Sequence, residues 1–189
     1  WFGLRGLIAP QRVVKEWENL LRFRHWGIPT ATLVAYGLER VRGSFVRGAL
    51  VTEEIPDTAD LARLAREGDA RLRDRRWVAG VARQIARHTR RLHDEGFAHN
   101  DLKWRNLLVD DGAAPTVYLI DCPSGGFWRG PLLRYRIVKD LACLDKVAKY
   151  HLSRTQRLRF YLDYAGHARL SAADKRRLRL ILKFFAGRE

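Results

Sequence analysis

Methionine is missing from all 189 residues, and the chain opens on Trp1. A complete reading frame begins with methionine, and an internal stretch of this length ordinarily holds a few more, so the natural N-terminus is expected upstream. Cysteine is nearly as scarce. Cys122 and Cys143 are the only two, with the spacing of neither a metal-ligand set nor a disulfide framework, which fits a reducing compartment. No apolar run approaches the ~18 residues of a membrane span, no signal peptide is visible, and no internal repeat or low-complexity tract occurs. Acidic residues are the other shortage: 21 Asp and Glu face 36 Lys and Arg, for a net charge of +15. Nucleic acid, an anionic membrane surface and an anionic substrate are all compatible with that balance, and charge alone does not choose among them. The 47% apolar content is enough for a real core in one domain or one large lobe.

The apolar periodicity places a first helix from Gln11, with Val13, Val14, Trp17, Leu20 and Leu21 at helical spacing and Gly27 with Pro29 as its end. Pro10 reads as a stop or helix-start signal. Strands are expected at Thr30–Tyr36 and Ala49–Ile55, connected around Arg42-Gly43-Ser44 and closed by Pro56. Asp57–Gly68 reads as a short helix. A longer one over Arg76–Asp94 sets Val78, Val81, Ala82, Ile85, Ala86, Thr89 and Leu92 on one stripe, opposite Arg83, Arg87, Arg90 and Arg91, and Gly96 ends it. Cys122–Pro131 is a Gly- and Pro-rich loop. Three helices follow: Val138–His151, then Ser153–Tyr164 with a Ser153…Gln156 capping box, then Ala172–Phe185 opened by Ser171…Asp174 with Leu178, Leu182 and Phe185 on one side.

The chemistry is concentrated in His99-Asn100-Asp101-Leu102-Lys103-Trp104-Arg105-Asn106. An aspartate followed five residues later by an asparagine, with a lysine two after the aspartate, matches the catalytic loop of kinase-fold phosphotransferases. Phosphoryl transfer asks the protein to position groups and spread charge. Asp101 suits the orientation of an attacking hydroxyl, and Lys103 can offset charge on the transferred group. Asn106 offers a neutral amide oxygen to Mg²⁺ without adding negative charge beside the triphosphate. Asp110-Asp111-Gly112 is a turn signal, so Leu107–Val109 and Thr116–Ile120 read as a hairpin. That hairpin would bring Asn106 and Asp121 to one end, within reach of a single metal ion.

Taken with Glu16-Trp17-x-Asn19-Leu20, Gly27-Ile28-Pro29-Thr30, Val51-Thr52-Glu53-Glu54-Ile55, Ile120-Asp121 and Asp140-Leu141-Ala142, the chain resembles the bacterial lipopolysaccharide core kinases, which act on Kdo or heptose. The resemblance covers nearly the whole chain. It implies an α+β, protein-kinase-like fold: a partial small lobe over 1–55, with a hinge near 53–56, and a mostly helical large lobe over 57–189 carrying the catalytic hairpin. It further implies ATP-dependent, Mg²⁺-assisted phosphorylation of an inner-core sugar hydroxyl at the cytoplasmic face of the inner membrane. The glycolipid is then the acceptor, the anionic membrane surface a further partner, and neither nucleic acid nor an obligate protein partner is expected.

By that family pattern Asp101 is the catalytic base, and Asn106 with Asp121 binds the metal. Glu16, rather than Glu18, pairs with the ATP lysine. Glu53, Glu54 and Ile55 form the hinge that meets adenine, and Asp140 either braces the catalytic loop or caps its helix. Three departures matter. Asp121-Cys122-Pro123 stands in place of Asp-Phe-Gly. Asn100 replaces the arginine that would clamp a phosphorylated loop, so control by loop phosphorylation is not expected. Before Glu16 there is no Gly-rich hairpin, Gly3 and Gly6 do not supply one, and Lys15 abuts Glu16 on a helical pattern. Those parts are expected upstream of residue 1, which would leave residues 1–189 with little activity of their own. The loop Ser124–Gly130, with Phe127, Trp128 and Arg129, lies where a kinase receives its acceptor. It either meets a glycolipid at the membrane interface or tucks onto the large lobe. Rival readings are an atypical protein or small-molecule kinase, a basic nucleic-acid-binding domain, and a pseudokinase.

Overall fold

The computed structural model describes residues 12–187; the readings of Gly3, Gly6 and Pro10 lie outside them. Helix α1 spans Arg12–His25 and turns off at Gly27, whose φ is +71°. The face it turns inward differs from the expected one. Asn19, Leu20 and Phe23 are buried and Glu16 is half-buried, whereas Leu21 is 44% exposed. Trp17 instead packs on Tyr36, ring centroids 5.1 Å apart.

Strands β1 (Leu33–Val41) and β2 (Ser44–Thr52) form an antiparallel hairpin. Its turn is Arg42-Gly43, both at positive φ, +49° and +81°, as a two-residue reversal between twisted strands requires. Both strands run further into the turn than the composition indicated, because exposed Glu39, Arg40 and Arg47 continue the ladder. At the other end Glu53–Ile55 falls outside the strand. The expected helix from Asp57 is also corrected. Thr58–Asp60 is a strand, β3, paired antiparallel with Leu108, Val109 and Asp110, and helix α2 covers only Leu61–Glu67. Asp60 accepts from the Arg63 N–H as N-cap, which is why the helix starts after it.

Helix α3 (Arg75–Asp94) follows a short 3₁₀ turn, capped by Asp74 through the Arg76 and Trp77 N–H groups. Its buried side carries the expected stripe, with Ala82 half-buried, plus His93. On the basic side Arg90 and Arg91 pair with Asp94 and Glu95 one turn on. Strand β4 (Phe97–Ala98) leads into the catalytic loop, and β5 (Leu107–Asp110) with β6 (Val117–Leu119) completes the sheet β3-β5-β6. Gln84 on α3 clamps that hairpin by donating to Pro115 O at 2.7 Å and accepting from the Val117 N–H at 3.1 Å.

The expected loop Cys122–Pro131 holds a strand, β7 (Gly126–Phe127), paired with β4. Helix α4 then spans Gly130–His151, eight residues longer at its start than apolar periodicity indicated. Pro131 supplies the first-turn geometry, and exposed Leu132 and Tyr135 blur the stripe there. Helices α5 (Arg154–Ala165) and α6 (Ala172–Lys183) both open on the capping boxes read from the sequence. On α6 the buried apolar residue is Ile181, while Leu182, expected inward, is 59% exposed. One apolar core joins Leu20 and Phe23 of α1 to α2, α3, the hairpin and Leu144 of α4. A second lies where α3, α4, α5 and α6 meet. The catalytic loop is held chiefly against the first.

Candidate active site

Asp101, Lys103 and Asn106 sit on the loop between β4 and β5. Lys103 Nζ lies 2.5 Å from Asp101 Oδ1, and Arg105 Nη2 lies 3.1 Å from Oδ2. Partial burial alone would raise the Asp101 pKa, but hydrogen bonds and charge from Lys103 and Arg105 outweigh it and hold the carboxyl below its ordinary value. Asp101 is therefore an ionised acceptor at neutral pH. Arg105 was not singled out in the sequence; its position four residues after Asp101 is the only signal it left.

Asn106 is buried, and its Nδ2 donates to Asp101 O at 2.8 Å. That bond fixes the amide, and among the described residues Oδ1 meets no donor. The Ile120 N–H donates to Asn106 O at 3.0 Å, so Asn106 faces Ile120 across the hairpin and Asp121 follows by one residue. Asp121 is half-buried at φ +56°, a left-handed conformation that aspartate tolerates better than most residues. No described cation pairs with it. Across the cleft, Glu16 of α1 has its pKa raised, first by burial and then by the charge of Asp121. Arg12 opposes this, but by less than burial and Asp121 do, so the two facing carboxylates still favour a positive ion, and the Asn106 amide oxygen with the Asp121 carboxylate is the hard-oxygen pair suited to Mg²⁺. Among the described residues no group of three His, Cys, Asp or Glu side chains gathers as a metal cluster, so phosphate and water oxygens would have to complete the coordination.

Glu16 and Asp121 line an open cleft of about 610 Å³ whose other walls include Leu50, Glu53, Glu54, Ile55 and Ile120. The structure thus brings Glu16, the expected hinge residues Glu53–Ile55 and Asp121 to one cavity. At its rim the Glu53 N–H is committed to Thr32 O at 2.8 Å, and Ile55 O accepts from the Thr58 hydroxyl at 2.8 Å. The Glu53 carbonyl, the Ile55 N–H and both Glu54 groups have no backbone partner among the described residues. An acceptor and a donor two residues apart are what a flat heterocycle needs. The Glu53 and Glu54 side chains are exposed, so the backbone is what they would contribute. Lys15 lies on α1 rather than on a strand.

Several groups brace the loops. Asp140, fully buried in mid-helix α4 and so not a cap, accepts from the His99 N–H at 2.8 Å and the Asn100 N–H at 2.9 Å. His93, which the sequence did not flag, bridges from Asp140 at 3.5 Å to the Tyr164 hydroxyl at 2.8 Å. Asn100, at φ +66°, donates its amide to Ser124 O at 2.8 Å. Where a regulated kinase carries an arginine, this chain ties the loop directly.

Asn19 of α1 is equally telling. It is 2% exposed and donates to Cys122 O at 2.8 Å and Gly125 O at 3.3 Å. Cys122 is buried, its thiol pKa raised by that burial. Gly125 is packed so closely that a Cβ there would lie 2.4 Å from Cys122 Sγ and 2.5 Å from the Phe97 ring. In the loop Ser124–Gly130, Phe127 is 57% exposed yet meets the Phe97 and Trp26 rings edge-on, and Trp128 stacks under Arg136 at 4.5 Å. The loop is both tucked and partly open.

A model of the lipopolysaccharide kinase (Kdo/WaaP) family matches residues 5–164. Among solved structures, WaaP in complex with acyl carrier protein is similar at 26% identity with a TM-score of 0.70, covering 93% of this chain and 71% of that one. The Rad53 kinase domain is similar at 20% identity with a TM-score of 0.52, over 93% of this chain and 70% of that one, a likeness of fold. No curated protein sequence matches.

Proposed function

The chain belongs to the lipopolysaccharide kinase (Kdo/WaaP) family, and from that premise we propose which groups carry its reaction and what they act on. The family makes it a kinase of the lipopolysaccharide core that uses ATP, and the fold is protein-kinase-like. The acceptor proposed is a sugar hydroxyl of the inner core, on Kdo or heptose. The observation that carries the reading is the convergence of an ionised Asp101, held by Lys103 and Arg105, with Asn106 and Asp121 across one hairpin.

In this mechanism the acceptor hydroxyl donates a hydrogen bond to Asp101. Its oxygen attacks the γ-phosphorus of ATP as the bond to the β-phosphate bridging oxygen breaks, and its proton passes to Asp101. A carboxylate of depressed pKa is a weak base, so Asp101 works mainly by orientation, which suits a loose transition state in which the proton leaves late. Lys103 and Arg105 keep Asp101 ionised, and Lys103 offsets charge on the moving phosphoryl group. Asn106 and Asp121 would hold Mg²⁺, which when bound supplies charge neutralisation on the phosphates. Glu53 O and Ile55 N–H would take the adenine, and Glu16 would orient the ATP lysine. The division proposed for the described residues is a small lobe up to residue 55 and a large lobe from residue 57, with the 610 Å³ cleft lined from both.

Among the described residues no helix is long and apolar enough to cross a membrane, and the enzyme would work peripherally at the inner membrane. The carrier-protein complex of WaaP was not anticipated from the sequence; the same partner is proposed here on that likeness alone, and co-purification tests it. The function is tested with the full-length protein, labelled ATP and purified core oligosaccharide. Label is expected in the oligosaccharide, to be lost at least a thousandfold in Asp101→Asn. Label in protein acceptors alone would overturn the glycolipid reading.

A further inference from the structure

Helices α4 and α6 leave a trough of about 860 Å³ open at the surface, lined by Arg134, Tyr135, Arg176, Leu180 and Lys183 among others. Its chemistry is one-sided. Arg134, Arg176 and Lys183 are exposed and have no ionic or hydrogen-bonding partner among the described residues, and no described acidic side chain lines the trough. Some surface arginines elsewhere find carboxylates, as Arg90, Arg91, Arg157 and Arg159 do; here three unpaired cations share one apolar trough. Between the free cations stand exposed apolar groups: Tyr135 is 51% exposed, Leu180 59%, and Leu132, one turn before Tyr135, 60%. Leaving these in water costs free energy that a core position would have recovered.

We propose that this face docks the protein onto an anionic lipid bilayer. Tyr135 and Leu180 enter the headgroup region, and Arg134, Arg176 and Lys183 meet lipid phosphates with their aliphatic stems lying along the apolar groups. Three observations favour a bilayer over a protein partner. The charge is of one sign, with no carboxylate to set a register. The apolar groups are a tyrosine and leucines beside long cations, the composition of interfacial anchors. The face is also continuous with the acceptor side, since Arg136 of α4 stacks on Trp128 at 4.5 Å and on Tyr135 at 5.8 Å, and Phe127 beside Trp128 is exposed. α6 lies beyond residues 5–164 matched by the family model, whereas the α4 wall of the trough lies within them. The inference rests on the glycolipid reading only in that a lipid-anchored acceptor gives the docking its use.

The test is sedimentation of the full-length protein with vesicles of phosphatidylethanolamine and phosphatidylglycerol, against vesicles of phosphatidylcholine. Binding to the anionic vesicles is expected to fall with salt and to drop roughly a hundredfold in Arg134→Ala/Arg176→Ala/Lys183→Ala, at roughly fivefold per cation. Tyr135→Ser/Leu180→Ser should weaken binding while leaving its salt dependence in place. Both variants should phosphorylate soluble core oligosaccharide at the native rate and vesicle-embedded acceptor more slowly. Equal binding to neutral vesicles, or undiminished binding by the triple variant, overturns the proposal. So does a triple variant that loses a soluble acidic protein while keeping the vesicles. Asp101→Asn should bind vesicles normally. For the native protein, transfer without docking would sink this proposal alone, and docking without transfer would sink the kinase mechanism alone.

Discussion

Replacing Asp140 by alanine removes the acceptor for two buried donors at once. The carboxylate is 0% exposed, and its oxygens sit 2.8 Å from the His99 N–H and 2.9 Å from the Asn100 N–H. A buried donor left unpaired costs about 1–3 kcal/mol, so two cost about 2–6 kcal/mol. Relief from burying a carboxylate offsets part of this, and about 4 kcal/mol is a fair centre. Against the total of about 5–15 kcal/mol typical of a domain, the variant stays folded near room temperature. For a chain of this size each kcal/mol moves the melting point by about 2–4 °C, so Tm should fall by about 8–16 °C. Asp140→Asn keeps one acceptor and turns an NH₂ toward the other donor, and should cost roughly half as much. The functional loss should exceed the unfolded fraction. Asn100 holds φ +66° under this clamp; released, it relaxes and swings Asp101, which should cost at least a hundredfold in kcat. Circular-dichroism melts and transfer rates measured well below each variant's Tm decide it. A melting point within about 2 °C of native, or an unchanged kcat, would refute the bracing role.

Asn19→Leu should unfasten the Asp121 loop from α1, seen as at least tenfold faster labelling of the buried Cys122 thiol with Cys143, also buried, as internal reference. Equal rates for Cys122 before and after would deny the coupling. Glu16 has a raised pKa from burial and from Asp121. Its ionised form therefore weakens the nucleotide-free fold, and stability falls as pH rises from 4.5 through the folded value. Glu16→Gln should raise Tm at pH 7 and lose that advantage at low pH; an unchanged Tm would contradict the like-charge pairing. Asp174 is the opposite case. The Ser171 hydroxyl at 2.6 Å, the Ser171 N–H, His167 and the Tyr161 hydroxyl hold its carboxyl well below the ordinary 3.8. The stability it gives α6 is complete above that value and is lost as pH falls below it. Asp174→Asn should remove this acid limb from the unfolding profile, and an identical limb in the variant would place it elsewhere.

The parts legible in the sequence are those where chemistry or capping dictates residue types at fixed spacing. The Asp101…Asn106 interval, the turn Asp110-Asp111-Gly112 and both serine capping boxes are of this kind. The inward face of α1 was misread because half of it is polar: Glu16 lines the cleft and Asn19 ties down the Cys122–Gly125 segment, and an apolar-stripe argument counts both as solvent-facing. The start of α4 was missed for the mirror-image reason, since Leu132 and Tyr135 are apolar and exposed. β3 and β7, of three and two residues, exist only through their partners β5 and β4, and no local signal could announce them. The roles of His93 and Asn100 depend on contacts more than twenty residues away in sequence, to Tyr164, Asp140 and Ser124.

Gly125 sets a limit on how such an enzyme can be governed. With Cys122 on one side and Phe97 on the other, Gly125 has no room for a side chain, and Asn19 and Asn100 tie Cys122 and Ser124 of the segment after Asp121 to separate elements. A centre held by such fixed contacts is not expected to be toggled by a modifying enzyme. Its throughput is then decided by supply, through how often nucleotide and acceptor meet in the cleft, and any throttle belongs to whatever brings the two together.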